Sequence, residues 1–153
     1  MPTLCSNTLE KLSNRPRFED FRRTVERIIA ERGDEIAFMV LFGSMAKGTW
    51  MPYSDYDLLI GLNYDDGKRF IDRIGEFQLL LHTDADVFPY SKSEWQKMFR
   101  EFHLLILEAL DGGVVLVDDG SFAQMRLQFE KWLQEGIIQR KERGWKRVTT
   151  HTG

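Results

Sequence analysis

The stretch Ile36–Ile60, which reads IAFMVLFGSMAKGTWMPYSDYDLLI, decides the fold of this chain. It begins with seven consecutive apolar residues, Ile36 to Phe42. A continuous apolar run of this length predicts a strand that is buried on both faces. After a turn of small residues and a short loop, a second apolar run opens with two carboxylates. Removing a carboxylate from water is costly unless something pairs with it, so these acids indicate a functional site.

The two carboxylates belong to Asp55 and Asp57, which stand two positions apart. Along a strand such residues point to the same face, with Cα atoms roughly 6.5–7 Å apart. That separation suits one metal ion or a pair of ions about 3.5–4 Å apart. Asp86 lies inside a later apolar segment and joins them if the two strands are neighbours. Asp84 would share its face, but we prefer Asp86 because apolar residues flank it on both sides.

Oxygen ligands alone favour Mg²⁺ or Mn²⁺ over zinc. The turn between the two apolar runs supplies candidates for phosphate binding. Gly43 allows a phosphate to approach the backbone, and Ser44 adds a hydroxyl donor at the start of a predicted helical turn. Lys47 adds a positive point charge that can meet a phosphate. Ser54, at the end of the loop, is a further candidate for phosphate binding. Thr49 stands where the lysine of a P-loop would be, which excludes that motif.

Strands alternate with amphipathic helices around this stretch. The pattern predicts an α/β (α+β) fold, in which helices flank a small mixed sheet. The predicted helices span 18–32, 68–77, 91–110 and 122–143, and the predicted strands span 36–42, 55–62, 82–89 and 114–117. On the second helix, Lys68, Arg69 and Arg73 are predicted to form an exposed face.

The chain has a length suited to one domain with a substantial core. Residues 1–17 are predicted to form a loose N-terminal lead, and residues 18–118 the central domain. Residues 119–153 are predicted to form a C-terminal helix and a basic tail, packed on that domain or extending it. The tail holds five bases between residues 140 and 147, and we expect it to be solvated. The apolar stripe of the C-terminal helix could form a homo-oligomer contact instead of packing on the central domain.

Net charge is −3, with 24 acids against 21 bases, so no global basic field indicates nucleic acid as a partner. The single Cys5 cannot form an intramolecular disulfide, which fits a reducing compartment. The first ten residues have no secretory core, and no apolar run is long enough for a membrane span. We therefore expect a cytoplasmic protein without membrane contact.

The combined motif resembles that of the DNA polymerase beta-like nucleotidyltransferase superfamily. It consists of Gly43-Ser44, ten further residues, Asp55-x-Asp57, and the later Asp86. Within that superfamily the chain is similar to the small, stand-alone minimal nucleotidyltransferases. The resemblance is carried by GSMAKGTWMPYSDYDLLI, ADVFPY and LEALDGGVVLV and runs from about residue 18 to 118. It implies the nucleotidyltransferase fold, to which the C-terminal helix would be an addition.

The resemblance also implies roles for the site residues. Asp55 and Asp57 would bind the metal ions that hold a nucleoside triphosphate, and Asp86 would complete the second metal site. Gly43 and Ser44 would bind the β- and γ-phosphates. A hydroxyl would attack the α-phosphate of ATP, or of another triphosphate, and release pyrophosphate, with two Mg²⁺ or Mn²⁺ ions stabilising the entering and leaving oxygens. Lys47 departs from the arginine that many relatives have at this position.

The acceptor of the nucleotidyl group is left open. The resemblance implies a HEPN-type protein partner, because some minimal relatives are antitoxins that adenylylate such a toxin. The alternative acceptor for an enzyme is an aminoglycoside-like small molecule. The alternative to an enzyme is a non-catalytic module that binds nucleotide or a partner and neutralises that partner by contact. Trp50 and Tyr53 could stack on a base or simply cover the loop beside the site.

Overall fold

The computed structural model of the protein describes residues 4–82, 84–141 and 144–148. The helices are α1 Ser6–Glu10, α2 Phe18–Arg32, α3 Ser44–Lys47, α4 Phe70–Gln78, α5 Lys92–Arg100, α6 Leu104–Gly112 and α7 Ser121–Gln134, with a 3₁₀ turn at Gly33–Glu35. The strands are β1 Ile36–Phe42, β2 Tyr56–Leu62, β3 Ala85–Tyr90, β4 Val114–Asp118, β5 Ile138–Lys141 and β6 Gly144–Arg147. None of the helices in these ranges has the length and apolar character needed to cross a membrane.

Four strands form one mixed sheet in the order β3-β2-β1-β4. β1 runs antiparallel to both of its neighbours, and β2 runs parallel to β3. β5 and β6 form a separate antiparallel hairpin after α7. The predicted class, a small mixed sheet flanked by helices, is confirmed.

β1 lies between two hydrophobic cores, one on each face of the sheet, as its apolar run predicts. Met39 and Leu41 belong to the core that includes the inner face of α2. Phe38 and Val40 belong to the core on the opposite face, which is built from α5, α6 and α7. Both layers of helices therefore depend on this strand, and every residue from 36 to 41 is buried.

The N-terminal segment is packed rather than loose over the residues that are described. Leu9 and Leu12 are each only 2% exposed and lie in the same core as α2. The Cys5 amide donates to the Leu116 carbonyl of β4 at 2.9 Å. The segment therefore covers one side of the sheet next to its β4 edge, a long-range contact that its polar composition does not reveal.

The helix predicted to run from residue 91 to 110 is divided into α5 and α6. Phe102 adopts a left-handed conformation with φ of 57°, which stops α5, and the His103 ring then accepts the Leu105 amide as the N-cap of α6. A non-glycine residue rarely adopts this conformation. Here the Phe102 ring packs against Trp132 of α7 at 4.6 Å between centroids, so tertiary contacts hold the turn.

The C-terminal helix is shorter than predicted, because it ends at Gln134 and not near residue 143. Gly136 takes a left-handed φ of 73°, and the Ile137 amide donates back to the Trp132 carbonyl at 2.9 Å. This is a common way for a helix to end. The predicted solvated tail is instead a hairpin over its described residues, anchored by Ile138, which is 1% exposed. Residues 142 and 143 of the predicted helix lie outside the described residues.

Arg73 is buried, contrary to the exposed face predicted for α4. Its side chain is 1% exposed and forms ion pairs with Asp66 and Glu94, each at 2.7 Å. It also donates to the Pro89 carbonyl at 3.0 Å. The Asp66 side chain is itself only 3% exposed, and the Arg73 guanidinium lowers its pKa to about 2. This network joins α4, β3 and α5 at the end of the sheet opposite to the Asp57 end of β2.

Replacing Arg73 by Met should destabilise the protein strongly, because two carboxylates would lose their buried partner. We expect a loss of about 3–5 kcal/mol in the free energy of unfolding, measured by urea denaturation. Arg69→Met is the matched control, since Arg69 is 79% exposed in its ion pair with Asp72 and should change stability by less than about 1 kcal/mol. Equal losses in the two variants would contradict the structural role of the network.

Candidate active site

The predicted carboxylates meet where the end of β1 lies beside the beginnings of β2 and β3. Phe42 pairs with Asp57 across β1 and β2, and Asp57 pairs with Asp86 across β2 and β3. Residues that are directly paired on neighbouring strands project to the same face of a sheet. Asp55 precedes β2 and is exposed, as is Asp86, whereas Asp57 is partly buried. The sheet register thus brings an acid from each of two strands together and places a third beside them.

The pKa of Asp57 is raised to about 6. Burial is the largest cause, and the negative charges of Asp86 and Asp55 add to it. Asp84 does not contribute, although it competes with Asp86 by sequence pattern. The site is therefore anionic and strained by its own charge, and a positive ligand would relieve the repulsion.

Gly43 lies directly against the Asp57 carboxylate. It has a left-handed φ of 78°, and a Cβ atom added at this position would collide with Oδ2 of Asp57. The carbonyl of Gly43 accepts the amides of Ala46 and Lys47, both at 3.1 Å, and so starts the single turn of α3. Gly48 ends the turn with a φ of 79°. The predicted phosphate-binding turn therefore forms and lies beside the acids.

Lys47 points towards α6 rather than across the acids. Its Nζ lies 3.0 Å from Oε2 of Glu108, and Oε1 of the same carboxylate accepts the indole N–H of Trp145 at 3.0 Å. Glu108 thus connects the phosphate-binding turn to β6 of the C-terminal hairpin. The phosphate-binding role of Lys47 remains a prediction, and in this state its ammonium group is paired.

Ser54 closes the turn before the acids. Its hydroxyl accepts the Met51 amide at 2.9 Å, and its own amide donates to the Met51 carbonyl at 2.9 Å. Both bonds shape the backbone that leads into Asp55. A phosphate contact for Ser54 stays a prediction, whereas its turn-forming contacts are observed.

The two aromatic residues of the loop differ in burial. Trp50 is partly buried and packs against the core on the α2 side of the sheet. Tyr53 is 78% exposed and Met51 is 51% exposed, so they form an open apolar rim beside the site. Covering the loop therefore accounts for Trp50, and base stacking remains a prediction for Tyr53.

The sequence patterns do not reveal three residues that contact the site loop or its lysine, namely Arg15, Arg17 and Glu108, or Trp145, which bonds to Glu108. Arg15 donates to the Met45 carbonyl at 2.9 Å, and Arg17 donates to the Pro52 carbonyl at 2.8 Å. These contacts span 30 and 35 residues of sequence. Helical or strand periodicity carries no signal for contacts of this kind.

The residues present fit a divalent metal ion that is shared with a phosphate ligand. Among the described residues, no three acid, histidine or cysteine side chains are close enough to form a complete metal cluster by themselves. Mg²⁺ commonly takes one or two carboxylates and completes its coordination with water and substrate phosphates. Asp57 and Asp86 in register, with Asp55 near by and the turn at Gly43 adjacent, match that arrangement better than a closed protein cage.

Comparison with known proteins identifies the family. The profile of the nucleotidyltransferase domain family matches residues 22–138, which is more than half of the chain and includes all the candidate site residues. No curated protein sequence matches the chain.

Solved structures show a related fold at low sequence identity. A mutant of the MntA-HpeT toxin-antitoxin is 16% identical, with a TM-score of 0.50, and the match covers 74% of this chain and 86% of that one. A toxin-antitoxin with AMP-PNP is 16% identical, with a TM-score of 0.48 and coverages of 73% and 86%. A putative nucleotidyltransferase from Sulfolobus solfataricus is 15% identical, with a TM-score of 0.48 and coverages of 71% and 82%.

Asp57→Asn should stabilise the protein at neutral pH when divalent metal is chelated. A raised carboxyl pKa means that folding favours the protonated form, so stability falls as pH rises from the ordinary pKa near 4 to about 6. The asparagine variant avoids this loss. We expect a gain of roughly 1–2 kcal/mol at pH 7.5, or about 2–8 °C in the midpoint of thermal unfolding.

The difference between the variant and the parent protein should shrink as pH falls from 6 to 4. Asp84→Asn is the control, because Asp84 does not contribute to the raised pKa of Asp57. A stability difference that is independent of pH would contradict the electrostatic origin of the effect.

Proposed function

Because this chain belongs to the nucleotidyltransferase domain family, we propose that it transfers a nucleoside monophosphate from a nucleoside triphosphate to a hydroxyl group and releases pyrophosphate. ATP is the proposed donor. The observation that supports the proposal most strongly is the pairing of Asp57 with Asp86 beside the turn at Gly43. Nucleotidyl transfer requires metal-binding carboxylates next to a phosphate-binding turn, and both lie at the same end of this sheet.

Asp55, Asp57 and Asp86 are the proposed metal-binding residues. When bound, Mg²⁺ or Mn²⁺ ions would neutralise charge on the triphosphate and on the attacking and leaving oxygens. Asp57 is the most constrained of the three acids, because strand pairing and the backbone of Gly43 fix its position. Asp86 is exposed at the start of β3, where its carboxylate would accept the proton of an approaching acceptor hydroxyl.

The phosphate-binding turn would hold the donor. The left-handed Gly43 leaves room at the backbone, and Ser44 follows it as the first residue of α3. We propose that Lys47 exchanges its partner when the triphosphate binds, leaving Glu108 for the more highly charged phosphate oxygens. Glu108 would keep its hydrogen bond to Trp145 during this exchange.

The proposed acceptor is a hydroxyl on a protein partner, namely a HEPN-type toxin. The fold neighbour with a TM-score of 0.50 is a toxin-antitoxin, which supports this class of partner. The exposed rim formed by Met51 and Tyr53 offers apolar surface for a macromolecule beside the acids. Nucleoside triphosphates are abundant in the cytoplasm, where we place the reaction.

Transfer of labelled AMP tests the proposal directly. The protein is incubated with α-labelled ATP, Mg²⁺ and a HEPN-type toxin that is purified as its candidate partner, and label on the toxin is measured after denaturing electrophoresis. We expect label with the parent protein and none above background with Asp57→Asn or Asp86→Asn. Asp84→Asn should retain transfer, because Asp84 lies outside the strand register that pairs Asp57 with Asp86.

Two other outcomes would redirect the proposal. Equal neutralisation of the toxin by the parent protein and Asp57→Asn, without label, would indicate a module that acts by contact. Label on an aminoglycoside and none on the protein partner would indicate a small-molecule transferase.

Glu108→Gln should tighten the binding of a non-hydrolysable ATP analogue in the presence of Mg²⁺. Lys47 would no longer be paired with a carboxylate, so its charge would be available to phosphate without competition. Exposed ion pairs are worth up to about 1 kcal/mol, so we expect a Kd up to roughly fivefold lower by calorimetry. Glu101→Gln is the control, because it removes the same charge at the end of α5, away from Lys47. Unchanged or weaker binding by the Glu108 variant would contradict the exchange.

A further inference from the structure

We propose that Arg17 is a positioning residue for Asp55, one of the metal-binding acids, and that Arg15 has the same role for the phosphate-binding turn. We call residues Arg15–Arg17 the strap. The inference rests on the proposed function, which makes the acids metal ligands and the turn a triphosphate site, but it concerns residues outside the family's motif. These residues come from the segment that precedes α2.

Arg17 holds the backbone that leads into Asp55. Its Nη1 donates to the Pro52 carbonyl at 2.8 Å, and its Nη2 donates to the Ser54 carbonyl. The second of these carbonyls belongs to the residue directly before Asp55. Two bonds from one planar guanidinium fix both the position and the direction of this backbone.

Arg15 holds the other end of the same loop. Its Nε donates to the Met45 carbonyl at 2.9 Å. Carbonyls in the last turn of a helix lack partners within the helix, and α3 is only four residues long. Arg15 therefore supplies an acceptor of α3 with a donor that the short helix cannot provide.

The strap itself is locked in place by β2. The buried Tyr56, which stands between the two acids in sequence, donates its hydroxyl to the Pro16 carbonyl at 2.6 Å. Its ring stacks on Phe21 of α2 with centroids 4.0 Å apart. Arg17 keeps a left-handed φ of 56°, a conformation that costs a non-glycine residue energy and directs its side chain to the loop.

The strap positions Asp55 and the phosphate-binding turn, and it does not neutralise the acids. Among the contacts of the described residues, neither arginine forms an ion pair with Asp55, Asp57 or Asp86. Their hydrogen bonds to the loop all end on backbone carbonyls. The site consequently keeps its full negative charge for a cation, while the loop that presents Asp55 is held by the protein.

Arg17→Gln should weaken metal binding, whereas Arg15→Gln should weaken binding of the triphosphate. Partners that orient metal ligands typically contribute tenfold or more to metal affinity, so we expect the Kd for Mn²⁺, measured by electron paramagnetic resonance, to rise roughly tenfold in Arg17→Gln. In Arg15→Gln the Kd for Mn²⁺ should change little, and the KM for ATP should rise instead. Arg23→Gln is the matched control, because it removes the same charge from an exposed position of α2.

Hydrogen exchange provides a readout that is independent of catalysis. The amide of Ser54, which is bonded to the Met51 carbonyl, should exchange faster in Arg17→Gln than in Arg23→Gln. Arg17→Lys should restore part of the Mn²⁺ affinity, because an ammonium group can reach one carbonyl but cannot bond both in the guanidinium geometry. Circular dichroism identifies any variant that unfolds, and Arg17→Lys then carries the test.

The outcomes separate this inference from the proposed function. Equal Mn²⁺ affinity and equal exchange in Arg17→Gln and Arg23→Gln would overturn the positioning role, even if the parent protein transfers AMP. Weaker Mn²⁺ binding and faster exchange in Arg17→Gln alone would support it, even if no transfer were detected. Full recovery of the parent protein's Mn²⁺ affinity in Arg17→Lys would also overturn it, by showing that a positive charge is sufficient and that the paired guanidinium contacts are not what matters.

Discussion

The repulsion among carboxylates at the beginnings of β2 and β3 is the constraint on which the rest of the site depends. Asp57 is partly buried, and the negative charges of Asp86 and Asp55 act on it, so its pKa rises to about 6. A chain without a strong framework would move these groups apart. Here the hydrogen-bond register of two parallel strands holds Asp57 against Asp86, and the helix layers that pack on both faces of β1 hold those strands in turn.

Several separate parts of the chain converge on the loop that joins β1 to β2. Gly43 removes the side chain that would collide with Asp57, and the strap holds the loop from the α2 side. Glu108 of α6 contacts the loop from the other side through Lys47 and links it to Trp145 of the hairpin. The rigid sheet thus positions the acids, while contacts from distant segments position the backbone that would hold a triphosphate.

The errors in the sequence predictions have two physical causes, a local signal outweighed by periodicity and tertiary contacts that no local pattern shows. Gly136 is a visible signal for the end of a helix, but the apolar stripe of the predicted helix continues past it to Ile137 when periodicity alone is considered. Phe102 carries no such signal, because its left-handed turn is held by Trp132, thirty residues away. Arg73 belongs to the predicted exposed face of α4, and its burial depends on acids contributed by a loop and by α5. In the last two cases, contacts with residues outside the element itself override the local preference.

By itself, the sequence determined the parts that depend on local spacing: the doubly buried β1, the helix α2, the turn at Gly43, the acids two residues apart and the family to which they belong. Those features follow from side-chain periodicity and from residue types that only certain turns accept. Only the tertiary structure decided that Asp86 pairs with Asp57, that Lys47 is held by Glu108, and that Arg15 and Arg17 hold the site loop. The reason is that each of these contacts joins residues about thirty or more positions apart, and such pairings are selected by the packing of the whole chain rather than by any short stretch of it.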